Sequence, residues 1–354
     1  MNVTPSTSLS LETGALRCDL RPDLGGAIAG LWLQGIPVLR STPAAELTDV
    51  RQAGCFPLVP FSNRVGHARL QWLGQTYLLQ PDTHGPHAIH GMGRLRPWQV
   101  TEQQPTRVVM TYRHTPDAAW PFAFEATQTI ALESPQAERG GIVHAPDARV
   151  TITLALRNLS EQVAPVGLGL HPYFVKRTRS RIAFEATARW EMGDDMLPTH
   201  SHAAHGIDAN CAFLDVDNCF EGWPGVVDLR DELLRVRTRS SVSRLVVYTR
   251  EALPFIALEP VSHVNNAFAL HTAARTAQSL GIRALESGQS YSTTTTWEID
   301  RFFRRPPKRL RRLLHWGATA PTGQSPATLS LDGALGSWPQ AHVVFFGVSE
   351  KVRV

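Results

Sequence analysis

Between residues 107 and 158 the chain repeatedly alternates apolar and polar side chains. RVVMTYRH (107–114), FAFEATQTIALE (122–133) and VTITLALRN (150–158) carry the pattern. A period of two sends successive side chains to opposite faces of an extended strand, so each segment predicts a β-strand with one face on a core. RLVVYTR (244–250) and SYSTTTTWEI (290–299) are rich in the Val, Thr and aromatic residues that suit a pleated surface, and they predict two more. Turn-forming connections separate such segments, among them GQ at 74–75 and SGQ at 287–289. One short helix is expected, in HTAARTAQSLGIRA (271–284), and PQAERGGIVHAPDAR (135–149) reads as an exposed loop. Many short strands with frequent turns predict an all-β fold, an antiparallel sandwich or barrel.

The character changes near Asp300. RFFRRPPKRLRR (301–312) holds seven basic and no acidic residues, and WGATAPTGQSPATLSLDGALGSWPQ follows, a run of small residues that offers little to a core. The expected organisation is one domain over 1–300 and a basic, low-complexity extension over 301–354 that is poorly ordered. The formal net charge of +4 comes from that extension, since residues 1–300 hold 26 basic against 29 acidic side chains. A nucleic-acid-binding body would carry its own basic face, so no nucleic-acid partner is expected. The basic run could attract an acidic membrane surface, but a solvated tail is the plainer reading. No apolar run approaches the roughly 20 residues that span a bilayer, which argues against membrane insertion. No signal peptide is apparent at the N-terminus, and Cys18, Cys55, Cys211 and Cys219 form no CxxC pair. They read as reduced, buried thiols of a cytoplasmic protein.

Several common chemistries lack their motifs. GMGRLR (91–96) and GLGLHP (167–172) miss the third glycine of a dinucleotide loop, and there is no GxxxxGK[ST], HExxH or GxSxG. THGPHAIHGMGR (83–94) places His84, His87 and His90 close together, but Pro86 opposes a helix there and a strand would turn His87 away from the other two. No metal is expected at these residues, nor at His200, His202 and His205 in THSHAAHG. Five segments instead set a polar side chain in structural surroundings. CFPLVPFSNRVG carries Asn63 and Arg64, and HAIHGMGR carries His90 before a glycine. In VGLGLHPYF, His171 ends an apolar run and begins an aromatic turn. LDVDNCFEGW carries Asp217, and PFIALEPVSH sets Glu259 among apolar residues. Desolvation would raise the pKa of such a glutamate toward neutrality and make it a competent base. Singly, each has an ordinary alternative: a solvent-facing strand-end carboxylate, a buried structural histidine, an arginine satisfying loop carbonyls, a turn-capping aspartate.

Together and in this order, GCFPLVPFSNRVG, HAIHG, GLGLHPYF, LDVDNCFEGW and IALEPVSHVNNAF resemble the aldose 1-epimerases, the galactose mutarotases, over about residues 9–300. LRPDLGGAIAGLWLQGIPVL (20–39) is similar to that family's N-terminal strand pair around a Gly-rich turn. The resemblance implies a large antiparallel β-sandwich, galactose mutarotase-like, with a sugar cleft on one broad face. It implies that Glu259 is the general base at the C1 hydroxyl and His171 the general acid at the ring oxygen. His90 would orient the sugar, Arg64 and Asp217 would hold ring hydroxyls, and Asn63 would shape the loop beside them. The implied substrate is a free aldose such as glucose or galactose, turned over without cofactor or metal by a monomer or homodimer. Lys176, Arg177, Arg179 and Arg181 after the HPYF segment raise an alternative, a hexose-6-phosphate 1-epimerase with a cation clamp. A non-catalytic carbohydrate-binding protein on the same scaffold is the other.

Overall fold

The computed structural model describes residues 8–302 except 84, 136–144 and 272–274. Two antiparallel sheets, of eleven and nine strands, dominate it. In the nine-stranded sheet Arg107–His114, Phe124–Glu133, Ala148–Asn158, Ser290–Arg301 and Leu234–Ser240 are successive neighbours. Four of these are the strands that the sequence predicts, shifted by two residues at most. Alternation does here what it should: Ala126, Gln128, Ile130 and Leu132 are buried, while Glu125, Thr127, Thr129 and Ala131 between them stay partly open.

The eleven-stranded sheet has at its middle Cys55–Leu58, Gly169–Val175, Phe255–Val261, Arg244–Thr249 and Val216–Glu221, in that order. One face of it packs on the other sheet. Phe174 meets Trp297 edge-on at 5.6 Å between ring centres, and Phe220 meets Phe184 at 5.0 Å. Such aromatic pairs close a sandwich core. Strand alternation then turns His171, Tyr173, Asp217 and Cys219 to the opposite face. That face is covered in turn, by excursions such as the short antiparallel pair Arg64–Val65 and Ala88–Ile89. Covered on both sides, Gly169–Phe174 and Ile256–Val261 are buried without a break, and their sequences show continuous apolar character in place of alternation.

At the N-terminal end Leu16–Arg21 and Ala27–Leu33 pair around Gly25 and Gly26, both at positive φ. A Cβ on Gly25 would sit 2.2 Å from the Arg94 carbonyl oxygen, so glycine is required there for close approach of the two segments.

Two local expectations need correction. The helix expected over 271–284 does not form in its described part, where 277–281 are turns. Gly281 lies at φ +90, and the Thr276 hydroxyl accepts from the Ser279 backbone N–H, which favours a turn over a continued helix. The only α-helix among the described residues is Ala267–Leu270. HPYF is not a turn either, because Gly169–Val175 continues through it as strand. Most of the 135–149 loop, and the extension from 303 onward, lie outside the described residues. All four cysteines are buried free thiols. Among the described residues no helix is long and apolar enough to cross a membrane.

Candidate active site

Register brings the first two groups together. Gly169 pairs with Val261 and Tyr173 with Ala257, so His171 and Glu259 stand opposite each other on adjacent strands. Opposed residues share a face, and His171 Nε2 lies 3.3 Å from Glu259 Oε1. Both are almost sealed from solvent, at 5% and 2% exposure. Burial, reinforced by the Asp217 charge, holds the Glu259 carboxyl well above its usual range, and Arg64 opposes this. Burial first, then the charges of Arg40 and Arg94, push His171 down to about 3. Burial thus favours the uncharged form of each partner, the protonated carboxyl and the neutral imidazole. Among the described residues His171 Nδ1 and Glu259 Oε2 have no hydrogen-bond partner. Such orphaned buried atoms are unusual outside functional sites.

His90 approaches from the covering segment. Its ring meets the His171 ring edge-on at 5.0 Å. The Asn63 backbone N–H donates to His90 Nδ1 at 3.2 Å, which leaves the ring proton on Nε2, while the His90 backbone N–H donates to the Asn63 carbonyl at 2.8 Å. Both residues adopt the left-handed conformation, at φ 50 for Asn63 and 62 for His90. Gly91 follows at φ 66, and a Cβ on it would lie 2.1 Å from the Val59 carbonyl oxygen. The Asn63 side-chain oxygen accepts from the Arg64 backbone N–H at 2.9 Å, so Asn63 shapes the turn that presents Arg64. Burial and the neighbouring charges of His171, Arg94 and Arg64 lower His90 well below the ordinary histidine range.

Asp217 comes from two strands beyond Glu259. It pairs with Tyr248, which pairs with Ala257, which pairs with Tyr173, so these four form one row across the sheet. Asp217 is half-buried, and desolvation raises its pKa against the pull of Arg64. Arg64 is thus electrostatically coupled to Asp217, Glu259 and His90 together. It also lines a cavity of about 300 Å³ with His67, Asp82, His87, Asp194 and Asp195. The six residues singled out in the sequence form one cluster.

The other candidates have other partners. His87 Nδ1 accepts from the His67 N–H and its Nε2 donates to the Asp195 carbonyl, which makes it loop scaffolding. His84 is outside the described residues. His200 and His202 belong to Pro198–Ala203, a strand at the sheet edge, and His205 follows it. Among the described residues no three metal-ligating side chains converge. Lys176 Nζ is bonded to the carbonyls of Arg250 and Glu251, Arg177 to Asp231 and the Pro37 carbonyl, and Arg181 to Asp208. The partners of these three cations are thus groups other than His171 and Glu259. Sequence reasoning passed over Tyr173 and Arg40. Tyr173 lies two residues from His171, the same-face spacing of a strand, and that spacing could have marked it. Arg40 has no local signal, since it reaches the cluster only through the fold.

The uncharacterized Escherichia coli K12 protein YphB is 28% identical over 275 residues, which cover 73% of this chain and 88% of YphB. A galactose mutarotase-like protein from Clostridium acetobutylicum superposes with a TM-score of 0.70 at 18% identity, over 84% of this chain and 96% of that one. Galactose 1-epimerase from Lactobacillus acidophilus does so with a TM-score of 0.66 at 13% identity, over 83% and 94%. At those identities the two structures speak for the fold alone. The aldose 1-epimerase family itself matches residues 7–298. The sandwich, its continuous span and that match together mean that this chain belongs to the aldose 1-epimerase family.

Proposed function

We propose that this protein interconverts the α and β anomers of free aldohexoses, with Glu259 and His171 as the acid/base pair. The observation that carries the reading is their juxtaposition: a sealed carboxyl and imidazole 3.3 Å apart, each with one polar atom unpartnered among the described residues. Glu259 takes the proton of the C1 hydroxyl and His171 gives a proton to the ring oxygen. The C1–ring oxygen bond breaks, and the pyranose opens to its aldehyde. Rotation about C1–C2 presents the other carbonyl face, and closure with the transfers reversed yields the other anomer. Each ring opening brings one proton to Glu259 as another leaves His171, and closure returns them, so the pair never changes its net charge. Neither redox chemistry nor phosphate transfer is involved, which agrees with the missing cofactor motifs.

The remaining cluster supports sugar binding. Arg64 and Asp217 offer the charged donors and acceptors that hydroxyls pair with. His90, with its proton on Nε2, is a donor for a sugar oxygen near C1. Polarimetry on fresh α-D-glucose and α-D-galactose tests the reading. Wild type should reach anomeric equilibrium faster than buffer, whereas E259Q and H171N should follow the buffer. If wild type matches the buffer on both sugars while sugar still binds, the activity is absent and a binding role stands.

A further inference from the structure

We propose that Tyr173 and Arg40 are positioning residues for His171, Tyr173 fixing the imidazole plane as a ring held between His171 and the Arg40 guanidinium. The proposal rests on the acid/base reading above. Tyr173 and His171 rings are stacked, with centres 4.4 Å apart and planes at 24°. Arg40 Cζ lies 3.8 Å from the centre of the same tyrosine ring. Two groups that close to one ring centre would overlap on a single face, so they occupy opposite faces. The tyrosine cannot swing sideways, because Phe255 meets it edge-on at 5.0 Å and 90°.

Arg40 is itself tied to backbone. Its Nη2 donates to the Ala53 carbonyl at 2.7 Å and also to that of Arg51, and its own N–H donates to the Tyr173 carbonyl at 2.7 Å. The guanidinium is thereby anchored to the segment that enters the Phe56 strand, and the Arg40 backbone to the His171 strand. Held in this way, the imidazole points Nε2 at Glu259 Oε1 at 3.3 Å, with the Tyr173 hydroxyl 3.4 Å from the same nitrogen. Of these two partners for the one nitrogen, the carboxyl is the stronger.

Position and charge work together here. The groups that face or act on His171 are Glu259 from the adjacent strand, His90 from the covering segment, Tyr173 on its own strand, and the cations Arg40 and Arg94; Phe56, on the other side, is neutral. After burial, Arg40 is the largest influence that disfavours an imidazolium. Its charge disfavours a protonated His171, and the stack fixes where the ring nitrogen points.

The test combines ¹⁵N NMR titration of the His171 imidazole with kcat and KM, in wild type, R40K, R40M, Y173F and Y173L. R40M should bring the imidazolium signature in at a pH roughly one unit higher than wild type, while R40K, which keeps the charge, should not. Y173L should lower kcat about tenfold with KM changed less than about twofold, as expected for misorientation, not lost binding. Y173F, which keeps the stack, should retain most of kcat. The idea is overturned if His171 titrates identically in R40M and wild type, or if folded Y173L keeps the wild-type kcat. Wild type without mutarotation would defeat the functional reading instead, and the titration would then decide the proposal alone.

Discussion

The two sheets are built by the same antiparallel pairing yet carry different duties. The nine-stranded sheet buries one face and exposes the other, and Thr153 and Thr294 on its open side bond each other at the surface at 3.2 Å. The middle of the eleven-stranded sheet is covered on both faces, by the second sheet on one and by the Arg64–His90 excursions on the other. Only on that doubly covered floor can a carboxyl and an imidazole be desolvated together. The comparison teaches that the desolvation of this pair comes from a second layer of burial laid over an ordinary sheet.

Substitutions can break that contrast at different levels. The largest effect should follow from E259Q or H171N, with kcat reduced roughly 100- to 10,000-fold by polarimetry and thermal unfolding little changed. W297A removes a fully buried side chain of the other sheet. It should cost about 3–5 kcal/mol in urea unfolding and leave the kcat of the folded protein near wild type. Loss of both in W297A would mean that the site face and the core face do not act separately.

A subtler effect is pH-dependent. The folded His171 pKa is depressed to about 3 from an ordinary 6.5. Between those values the unfolded imidazole binds a proton that the folded one refuses, so stability rises with pH there and is lost as pH falls through the window. H171N should therefore flatten the urea midpoint between about pH 6.5 and 4, relative to wild type; parallel curves would refute the depressed histidine. Smallest of all, T294A removes one exposed cross-strand hydrogen bond and should shift stability by less than about 0.5 kcal/mol.

The contrast between the sheets also explains what could be read in advance. Arg107–His114 and Phe124–Glu133 were legible because a strand with one wet face must alternate. Gly169–Val175 and Phe255–Val261 were not legible as strands, since burial on both faces erases the period. His171 accordingly looked like the start of a turn when it lies inside a central strand. The helix expected over 271–284 failed for a related reason. A composition of small and polar residues permits a helix, but Gly281 at φ +90 and the Thr276 side chain commit the chain to turns.

By itself, the sequence determined the all-β class, five of the strands and the family, and it nominated the six polar residues, because periodicity and motif are local properties. Only the tertiary structure decided that these six meet, that Glu259 and His171 face each other in register, and that Tyr173 and Arg40 stand behind them. Those facts depend on which strands become neighbours and on what covers them. Contacts between residues as far apart in the chain as 40, 171 and 259 arise from pairing and layering that no local stretch encodes.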